Sequence, residues 1–377
     1  MISIRRISMG GGWRYLIESV ARGDGAPGHS SDLARYYAES GTPPGRFLGA
    51  GLGGLGGGRG VAAGTAVTEQ HLKRMMSGLA DPLTGQPVAG AGKTGGRVPV
   101  AGFDLTFSPP KSVSVAWALA DQGTKDLIYA CHRQAVSFVL GWAEANVLRS
   151  RSGTAGIVEE DITGAVAAAF THWTSRAGDP QLHDHVVVWN RARSASDGAW
   201  RTLDSRALFK SVVTLSEMHQ GVLSDLLTGA LGVGWDARDR VSGRPRWEID
   251  GVPEKLLTEF SRRAGQITAR KKELVTQFAA AHGRQPGAAE MLRLRQQATL
   301  ETRPVKTHHS LDELTAGCGP ARTSSCPNPA RSPGSPPWPT APTCPRCGTA
   351  ISMRRSSPTP PPPCWPGPAP AARRTRQ

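Results

Sequence analysis

Four segments of the chain have the hydrophobic pattern of β-strands. Residues 2–8, ISIRRIS, alternate apolar and polar side chains, which is typical of a half-buried strand. Residues 100–110, VAGFDLTFSPP, alternate in the same way and end at two prolines. Two further strands are predicted at 164–174 and 182–192.

Longer segments have apolar residues at helical spacing instead. The predicted helical segments are 13–21, 68–80, 126–148, 203–231 and 252–298. Thr68 is a suitable N-cap for the second of these, and the last is strongly basic. Strands that are separated along the chain, together with long helices, predict an α+β fold. We expect a central antiparallel β-sheet covered by helices.

The composition changes sharply near the end of the chain. Residues 318–377 hold 17 of the 30 prolines, five of the six cysteines and eight arginines, without Asp, Glu or Lys. They therefore carry +8 of the formal net charge of +15. Such a segment cannot bury a core, which predicts disorder. We expect a folded domain over 1–310 and a disordered low-complexity tail over 311–377, and the abrupt change is typical of a gene read out of frame.

Several classes of protein are disfavoured by the remaining sequence. The first residues lack the apolar stretch of a signal peptide, and no window has the apolar length of a membrane span. Cys131 is the only cysteine of the predicted domain, which excludes a disulfide framework and fits a reducing cytoplasm.

Two glycine-rich segments have simple interpretations. AGAGKTGG at 89–96 is similar to a phosphate-binding loop, but Pro87 stands where that motif requires its first glycine. We therefore interpret it as a solvated loop and expect no bound nucleotide. GAGLGGLGGGRGVAAG at 49–64 predicts a flexible linker.

Three of the ten histidines lie in one short stretch, at 172, 183 and 185. His183 and His185 are two residues apart, so on a strand both side chains point to one face. A two-residue hairpin turn at Gly178-Asp179 would set His172 opposite His185, with Cβ atoms about 5 Å apart. Three convergent imidazoles with open positions are an arrangement of catalytic metal sites, and imidazole favours zinc or a similar ion. The alternative is that each histidine packs or hydrogen-bonds singly.

A carboxylate interrupts the apolar strand over 100–110. Asp104 stands in its middle, and a buried carboxylate there costs too much unless it is paired. A carboxylate often orients a metal-binding histidine, so pairing with one of the three would account for Asp104. The alternative is that Asp104 faces solvent.

These residues resemble a known family. The segments GFDLTFSPPKSVSVAWAL (102–119), FTHWTSRAGDPQLHDHVVVWNRARSASDGAWRTLD (170–204) and YYAESGTPPGRFLGAGL (36–52) are similar to the TrwC/TraI-type (MobF) conjugative relaxases, which are HUH endonucleases. The resemblance spans roughly 1–310 and implies the sheet and helices of the HUH relaxase fold. It implies that His172, His183 and His185 hold a divalent cation, usually taken to be magnesium or manganese, with zinc left open. It also implies that Asp104 bonds a ligand histidine and helps to activate the nucleophile.

The resemblance further implies a tyrosine nucleophile near the N-terminus. Tyr15 matches the early tyrosine of the family, and Tyr36 and Tyr37 match its second pair. In the implied reaction the cation polarises a phosphate oxygen while Tyr15 attacks phosphorus. The products are a 5′-phosphotyrosine bond and a free 3′-OH, and the strand can later be rejoined.

A nucleic-acid substrate requires positive charge along its groove. The candidate contacts are Arg46, Lys111, Arg176, Arg191 and Arg193. Arg176 is the nearest to the histidines, and each of the others has an ordinary surface charge as its alternative. The expected partners are single-stranded and duplex DNA at a transfer origin, together with other conjugation proteins.

The most specific prediction is a DNA strand transferase that nicks one strand at a transfer origin. Full-length relatives continue into a helicase, whereas this chain has no Walker motif, so we expect a relaxase domain alone. Two alternatives remain open: a rolling-circle replication initiator with the same chemistry, and an inactive DNA-binding remnant.

Overall fold

The computed structural model describes residues 1–18, 44–88, 98–175, 177–239 and 245–303. The predicted tail, Tyr36, Tyr37, Arg176 and the loop at 89–96 lie outside these residues. The strands are β1 (Ile2–Ser8), β2 (Arg46–Leu48), β3 (Val100–Phe107), β4 (Ser150–Ser152), β5 (Val158–Glu160), β6 (Ile162–Thr174), β7 (Pro180–Ser194), β8 (Trp200–Arg201), β9 (Trp235–Arg238) and β10 (Arg246–Ile249). The α-helices are α1 (Tyr15–Glu18), α2 (Glu69–Ser77), α3 (Lys111–Leu119), α4 (Gln122–Asn146), α5 (Ser205–Lys210), α6 (Val212–Leu231), α7 (Glu254–Glu259), α8 (Arg262–His282) and α9 (Ala288–Glu301).

One antiparallel sheet organises the described residues. Its strand order is β1-β3-β7-β6-β2, and the short β8 pairs with β7. The long strands β6 and β7 form its central hairpin, and β3 pairs with the other edge of β7. The predicted α+β fold with a central antiparallel sheet is confirmed.

The central hairpin is apolar on both faces because both faces are covered. On β6, Ala165, Ala167 and Ala169 belong to one buried cluster, while Val166 and Ala168 belong to the other. This alternation follows from the pleat, which sends successive side chains to opposite faces. A strand that is buried on both faces has a nearly continuous apolar run.

Helices α4 and α6 cover one face of the sheet. The α4 helix begins after Asp121, whose carboxylate accepts a hydrogen bond from the Thr124 amide. Its buried residues Val136, Val139 and Leu140 lie on one side and pack against the sheet. The opposite face is covered by the N-terminal segment, by α2 and by the connection between β2 and α2.

The predicted flexible linker over 49–64 is wrong, because this segment is packed. Leu52 and Leu55 are buried in the core. The Glu144 carboxylate accepts hydrogen bonds from the Ala50 amide at 2.8 Å and the Ala165 amide at 2.7 Å, which ties the segment to β6. A Cβ on Gly49 would lie 2.2 Å from the Ala165 carbonyl oxygen, so glycine is needed for this close approach.

Several smaller elements were not anticipated from the pattern. These include α3, which begins directly after the two prolines, and the two-stranded β9–β10 sheet. The α3 segment, KSVSVAWAL, begins with the alternation of a strand, and β9 and β10 have only four residues each, so the pattern did not identify these elements. No helix within the described ranges has the length and apolarity that a membrane crossing requires.

Candidate metal centre and nucleophile

The β6–β7 hairpin brings three histidines together on one face of the sheet. His172 on β6 lies directly opposite His183 on β7, and His185 follows two residues later on the same face. The ring centroids are 4.9 to 5.3 Å apart. One ring nitrogen from each histidine lies within 4.8 Å of the other two, so the three imidazoles converge on a single point.

The pairing differs from the predicted register. A two-residue turn at Gly178-Asp179 would have set His172 opposite His185, which is wrong. The loop is longer, because the Ser175 amide donates to the Asp179 carbonyl at 2.8 Å and the Gly178 amide donates to the Ser175 carbonyl at 3.0 Å. The partner of His172 therefore moves two residues along β7. A shift of two keeps every side chain on its face, which is why the convergence survives.

Hydrogen bonds fix the orientation of two of the rings. His183 Nδ1 lies 2.8 Å from the Gln181 carbonyl oxygen. His185 Nδ1 lies 2.9 and 3.0 Å from the two carboxylate oxygens of Asp104. Donation from both Nδ1 atoms leaves the Nε2 lone pairs of His183 and His185 available to a metal ion. His172 Nε2 lies 3.4 Å from the Leu16 carbonyl oxygen.

The electrostatics of the cluster also fit a cation. Burial and the neighbouring His185 lower the pKa of His183 to about 4, so this imidazole is neutral near pH 7. Neutral imidazole is the form that binds metal. Three convergent imidazole nitrogens, partly exposed on one face, are therefore a suitable ligand set for a divalent ion.

Tyr15 reaches this cluster through Asp104. Its hydroxyl donates a hydrogen bond to Asp104, and its ring contacts that of His185 edge-on, with centroids 5.7 Å apart. Asp104 is buried on β3 and accepts from both residues. Burial and the Asp104 charge raise the pKa of Tyr15, whereas the charge of Arg5 lowers it. The phenol is therefore protonated at neutral pH and hydrogen-bonded to an acceptor for its proton.

Two of the predicted DNA contacts lie inside the protein. Arg46 is buried on β2, where its Nη2 lies 3.1 Å from Asp184 Oδ2. Arg191 is also buried, and its Nη1 donates to the Asn190 carbonyl at 2.8 Å. Both positions correct the prediction of a DNA-facing charge, because each guanidinium is enclosed by the fold.

The other predicted contacts have different surroundings. Lys111 at the start of α3 donates to the Pro180 carbonyl at 2.6 Å, which places its ammonium beside the β6–β7 hairpin that carries the three histidines. Arg193 is partly buried near the far end of β7 and donates to the Gly198 carbonyl at 2.8 Å. Arg176, Tyr36 and Tyr37 lie outside the described residues.

Three polar residues near the cluster were not predicted from the sequence. Thr106 Oγ1 lies 3.2 Å from His185 Nδ1, and Arg5 lies over the ring of Tyr15. Asp184, between His183 and His185, points to the opposite face and is fully buried. Period-2 alternation could have found Asp184 and Arg5, because it assigns each a face once the faces of its neighbours are known.

Comparisons with known proteins point to one family. The family model described as TrwC relaxase matches residues 9–319. Among curated proteins, the multifunctional conjugation protein TraI of Escherichia coli is 37% identical over 214 residues, and that of strain K12 is 35% identical over 217 residues. Each match covers 55% of this chain but only 11% of the relative. The chain thus spans about a tenth of the length of these relatives.

Solved structures of the conjugative relaxase TrwC with oriT DNA have the same fold. A copper-bound complex has a TM-score of 0.63 and 26% identity over 86% of this chain and 98% of that one. A complex with a 27-mer DNA comprising the recognition hairpin and the cleavage site has a TM-score of 0.61 and 25% identity, with the same coverage. The histidine cluster, the linked tyrosine and the family match over most of the chain lead to one assignment: the chain belongs to the TrwC relaxase family.

Proposed function

We propose that this chain is a conjugative relaxase that nicks one DNA strand at a transfer origin and later rejoins it. The observation that carries the proposal is the continuous contact from Tyr15 through Asp104 to His185, one of three convergent histidines. A nucleophile held beside a site for a cation is the arrangement that phosphodiester transfer requires. Family membership supports the same reaction.

In the proposed reaction Tyr15 Oη attacks phosphorus while the bond from phosphorus to the 3′ oxygen breaks. Asp104 accepts the phenol proton, for which its hydrogen bond to Tyr15 already provides a path. The second hydrogen bond of Asp104, from His185, holds the carboxylate in place. The 5′ end remains on the protein as a phosphotyrosine, and its bond energy is kept for the return reaction.

His172, His183 and His185 would hold the divalent ion of this site. When bound, the ion supplies charge neutralisation at a non-bridging phosphate oxygen. We propose magnesium or manganese, as the family resemblance implies. Imidazole donors favour zinc or copper, and a TrwC complex is copper-bound. Adduct yield measured with each ion separately will discriminate between them.

We propose single-stranded and duplex DNA at the transfer origin as the substrate, because several TrwC relatives are complexed with oriT DNA. Lys111, Arg176 and Arg193 remain candidate phosphate contacts, whereas Arg46 and Arg191 are buried. Other conjugation proteins are proposed as partners at the origin. We also propose that the relaxase domain ends near residue 310.

Trapping of a covalent adduct tests the proposal. The protein is incubated with a fluorescent pool of random single-stranded 30-mers and Mn²⁺ or Mg²⁺, then resolved under denaturing conditions. We expect a protein–DNA adduct, and sequencing the attached and released fragments will identify the cleaved site. Tyr15→Phe should abolish this adduct, whereas DNA binding by Tyr15→Phe should persist.

Two further variants sharpen the assignment of the nucleophile. Tyr36→Phe and Tyr37→Phe should each retain the first cleavage if Tyr15 is the main nucleophile. An adduct that persists in Tyr15→Phe but disappears in one of these variants would reassign the attack. DNA binding by the wild-type protein without any adduct would instead support an inactive remnant.

A further inference from the structure

Arg5 lies on the same face of the sheet as the metal cluster. On β1 it pairs directly with Asp104 on β3, so the two side chains leave the sheet on the same side. The buried Ile7, two residues further along β1, belongs to the core on this face and confirms the orientation. Asp104 itself contacts His185, so Arg5 is the next position in a row of site residues across the sheet.

The Arg5 side chain extends over the nucleophile. Its guanidinium carbon lies 5.7 Å from the centroid of the Tyr15 ring, and the residue is exposed. Among the residues that the structure describes, none forms an ion pair with this guanidinium or accepts a hydrogen bond from it. The exposed guanidinium of Arg5 therefore lies beside the Tyr15 ring.

The reaction at Tyr15 concentrates negative charge in a small volume. Asp104 and the substrate phosphate each carry negative charge. As Asp104 takes the phenol proton, its charge passes to the attacking oxygen and then to the phosphate oxygens. Arginine matches phosphate oxygens with two parallel donors and keeps its charge at any physiological pH. A fixed cation next to the reacting atoms stabilises charge that develops in the transition state.

We propose that Arg5 is a catalytic residue that donates hydrogen bonds to a non-bridging oxygen of the phosphate attacked by Tyr15. This inference rests on the proposed function. As the bond from Tyr15 Oη to phosphorus forms and the bond to the 3′ oxygen breaks, Asp104 takes the phenol proton and the leaving 3′ oxygen takes a proton from solvent. Arg5 transfers no proton and balances the charge on the phosphate oxygens.

The adjacent residue provides a matched control. Arg6 has the same charge and is also exposed, but it points to the opposite face of the sheet. Its guanidinium carbon lies 4.9 Å from the centroid of the Phe209 ring. Arg6→Gln thus removes the same net charge from the same strand without touching the site.

The rate of adduct formation separates the two residues. The probe is an intact oligonucleotide with the sequence identified from the random pool, at saturating concentration, with DNA affinity measured separately by fluorescence anisotropy in the Tyr15→Phe background. We expect Arg5→Gln to lower the rate at saturation by about 10²- to 10³-fold. Its effect on DNA affinity should stay below about tenfold, because one phosphate contact is lost. Arg5→Lys should recover part of the rate, and Arg6→Gln should stay within about threefold of wild type.

A chemically altered substrate identifies the contacted atom. The Rp and Sp methylphosphonates at the scissile position each replace a different non-bridging oxygen by a neutral methyl group, so one of the two isomers removes the partner of Arg5. With one of these two isomers the Arg5→Gln penalty should shrink to within about threefold. A full penalty on both methylphosphonate isomers, or a wild-type rate for Arg5→Gln on normal DNA, would overturn the inference. Absence of any wild-type adduct would instead refute the proposed function.

Discussion

Three consecutive residues of β7 place opposite kinds of polar group on the two faces of one sheet. His183 and His185 point to the face where ring nitrogens are partly exposed and converge with His172. Asp184 points to the other face, where its carboxylate is fully buried. It lies 3.1 Å from Arg46 Nη2 and 3.7 Å from His132 Nε2. The histidine nitrogens on one face are thus available to an external ion, whereas the charge of Asp184 on the other face is paired inside the protein.

Burial determines how each charged group on this strand is used. Burial alone would raise the pKa of Asp184, but the nearby His132 and the charge of Arg46 outweigh it and hold the pKa well below its usual range. The carboxylate is therefore charged and depends on its partners. A buried ion pair of this kind adds little stability over an apolar pair, yet removal of one member leaves an uncompensated charge.

The largest effect is expected from breaking the buried pair. Asp184→Leu leaves the Arg46 guanidinium without its carboxylate in the core, so the free energy of unfolding should fall by about 3–5 kcal/mol. Urea unfolding monitored by circular dichroism will measure the loss. Asp104→Asn on the other face keeps the shape of its side chain and should cost about 1 kcal/mol or less.

A second substitution tests the cause of this loss. The double variant Asp184→Leu/Arg46→Met removes both charges and should recover most of the stability, because apolar pairs of similar volume replace buried ion pairs at little cost. If the double variant is as unstable as Asp184→Leu alone, the unpaired charge is not the reason for the destabilisation.

On the face that carries the histidine cluster, a smaller effect is expected, and it concerns metal affinity. Asp104 orients His185 through hydrogen bonds of 2.9 and 3.0 Å to Nδ1. Loss of such a partner typically lowers metal affinity by about 10- to 100-fold. Asp104→Asn should therefore weaken binding of Mn²⁺ and Zn²⁺ in titration calorimetry by this factor. Unchanged affinity would show that Asp104 serves Tyr15 alone.

The same two faces explain what the sequence could predict. Period-2 alternation placed His183 and His185 on one face, and the cost of a buried carboxylate predicted a partner for Asp104. Both follow from local rules. The register of the hairpin did not, because it depends on hydrogen bonds within the loop from Ser175 to Asp179 that a turn preference does not specify.

The burial of individual charged residues was also not predicted from the sequence, for a physical reason. Arg46 was predicted to contact DNA, with a surface charge as the alternative, whereas the fold buries it beside a carboxylate. Its partner, Asp184, is 138 residues away in sequence, so no local pattern connects the two. The prediction of a flexible linker over 49–64 was wrong for a similar reason, because the close approach of Gly49 to Ala165 depends on a strand that is distant in sequence.

The buried face should make the stability of the folded protein sensitive to acid. Burial, the charge of His132 and the amino terminus lower the pKa of His219 well below its usual value, while Asp184 opposes them. Folded His219 is therefore neutral where the unfolded chain, with a pKa near 6.5, takes up a proton. The contribution of His219 to the free energy of unfolding is fully present above about pH 6.5. It is lost as the pH falls below this value, with a slope of up to about 1.4 kcal/mol per pH unit.

A substitution at His219 isolates this contribution. His219→Leu has no imidazole to protonate in the unfolded state, so its unfolding free energy should decrease less steeply between about pH 6.5 and 5. Urea unfolding of metal-free protein across this range gives both slopes. Equal slopes in the two proteins would show that the acid sensitivity arises from other groups.

The smallest effect is expected at the tip of the hairpin, where exposure is intermediate between the two faces. Asp179 is buried, but its ion-pair partner Arg262 on α8 has a side chain that is 63% exposed, with Nε 2.7 Å from Asp179 Oδ1. Because solvent screens such a pair, Arg262→Ala should cost only about 0.2–1 kcal/mol in urea unfolding. Asp179→Ala should cost more, because the Arg263 amide and the Ser175 hydroxyl also donate to this carboxylate. Equal losses in the two variants would mean that the Arg262 contact, and not burial of the carboxylate, determines the stability of the tip.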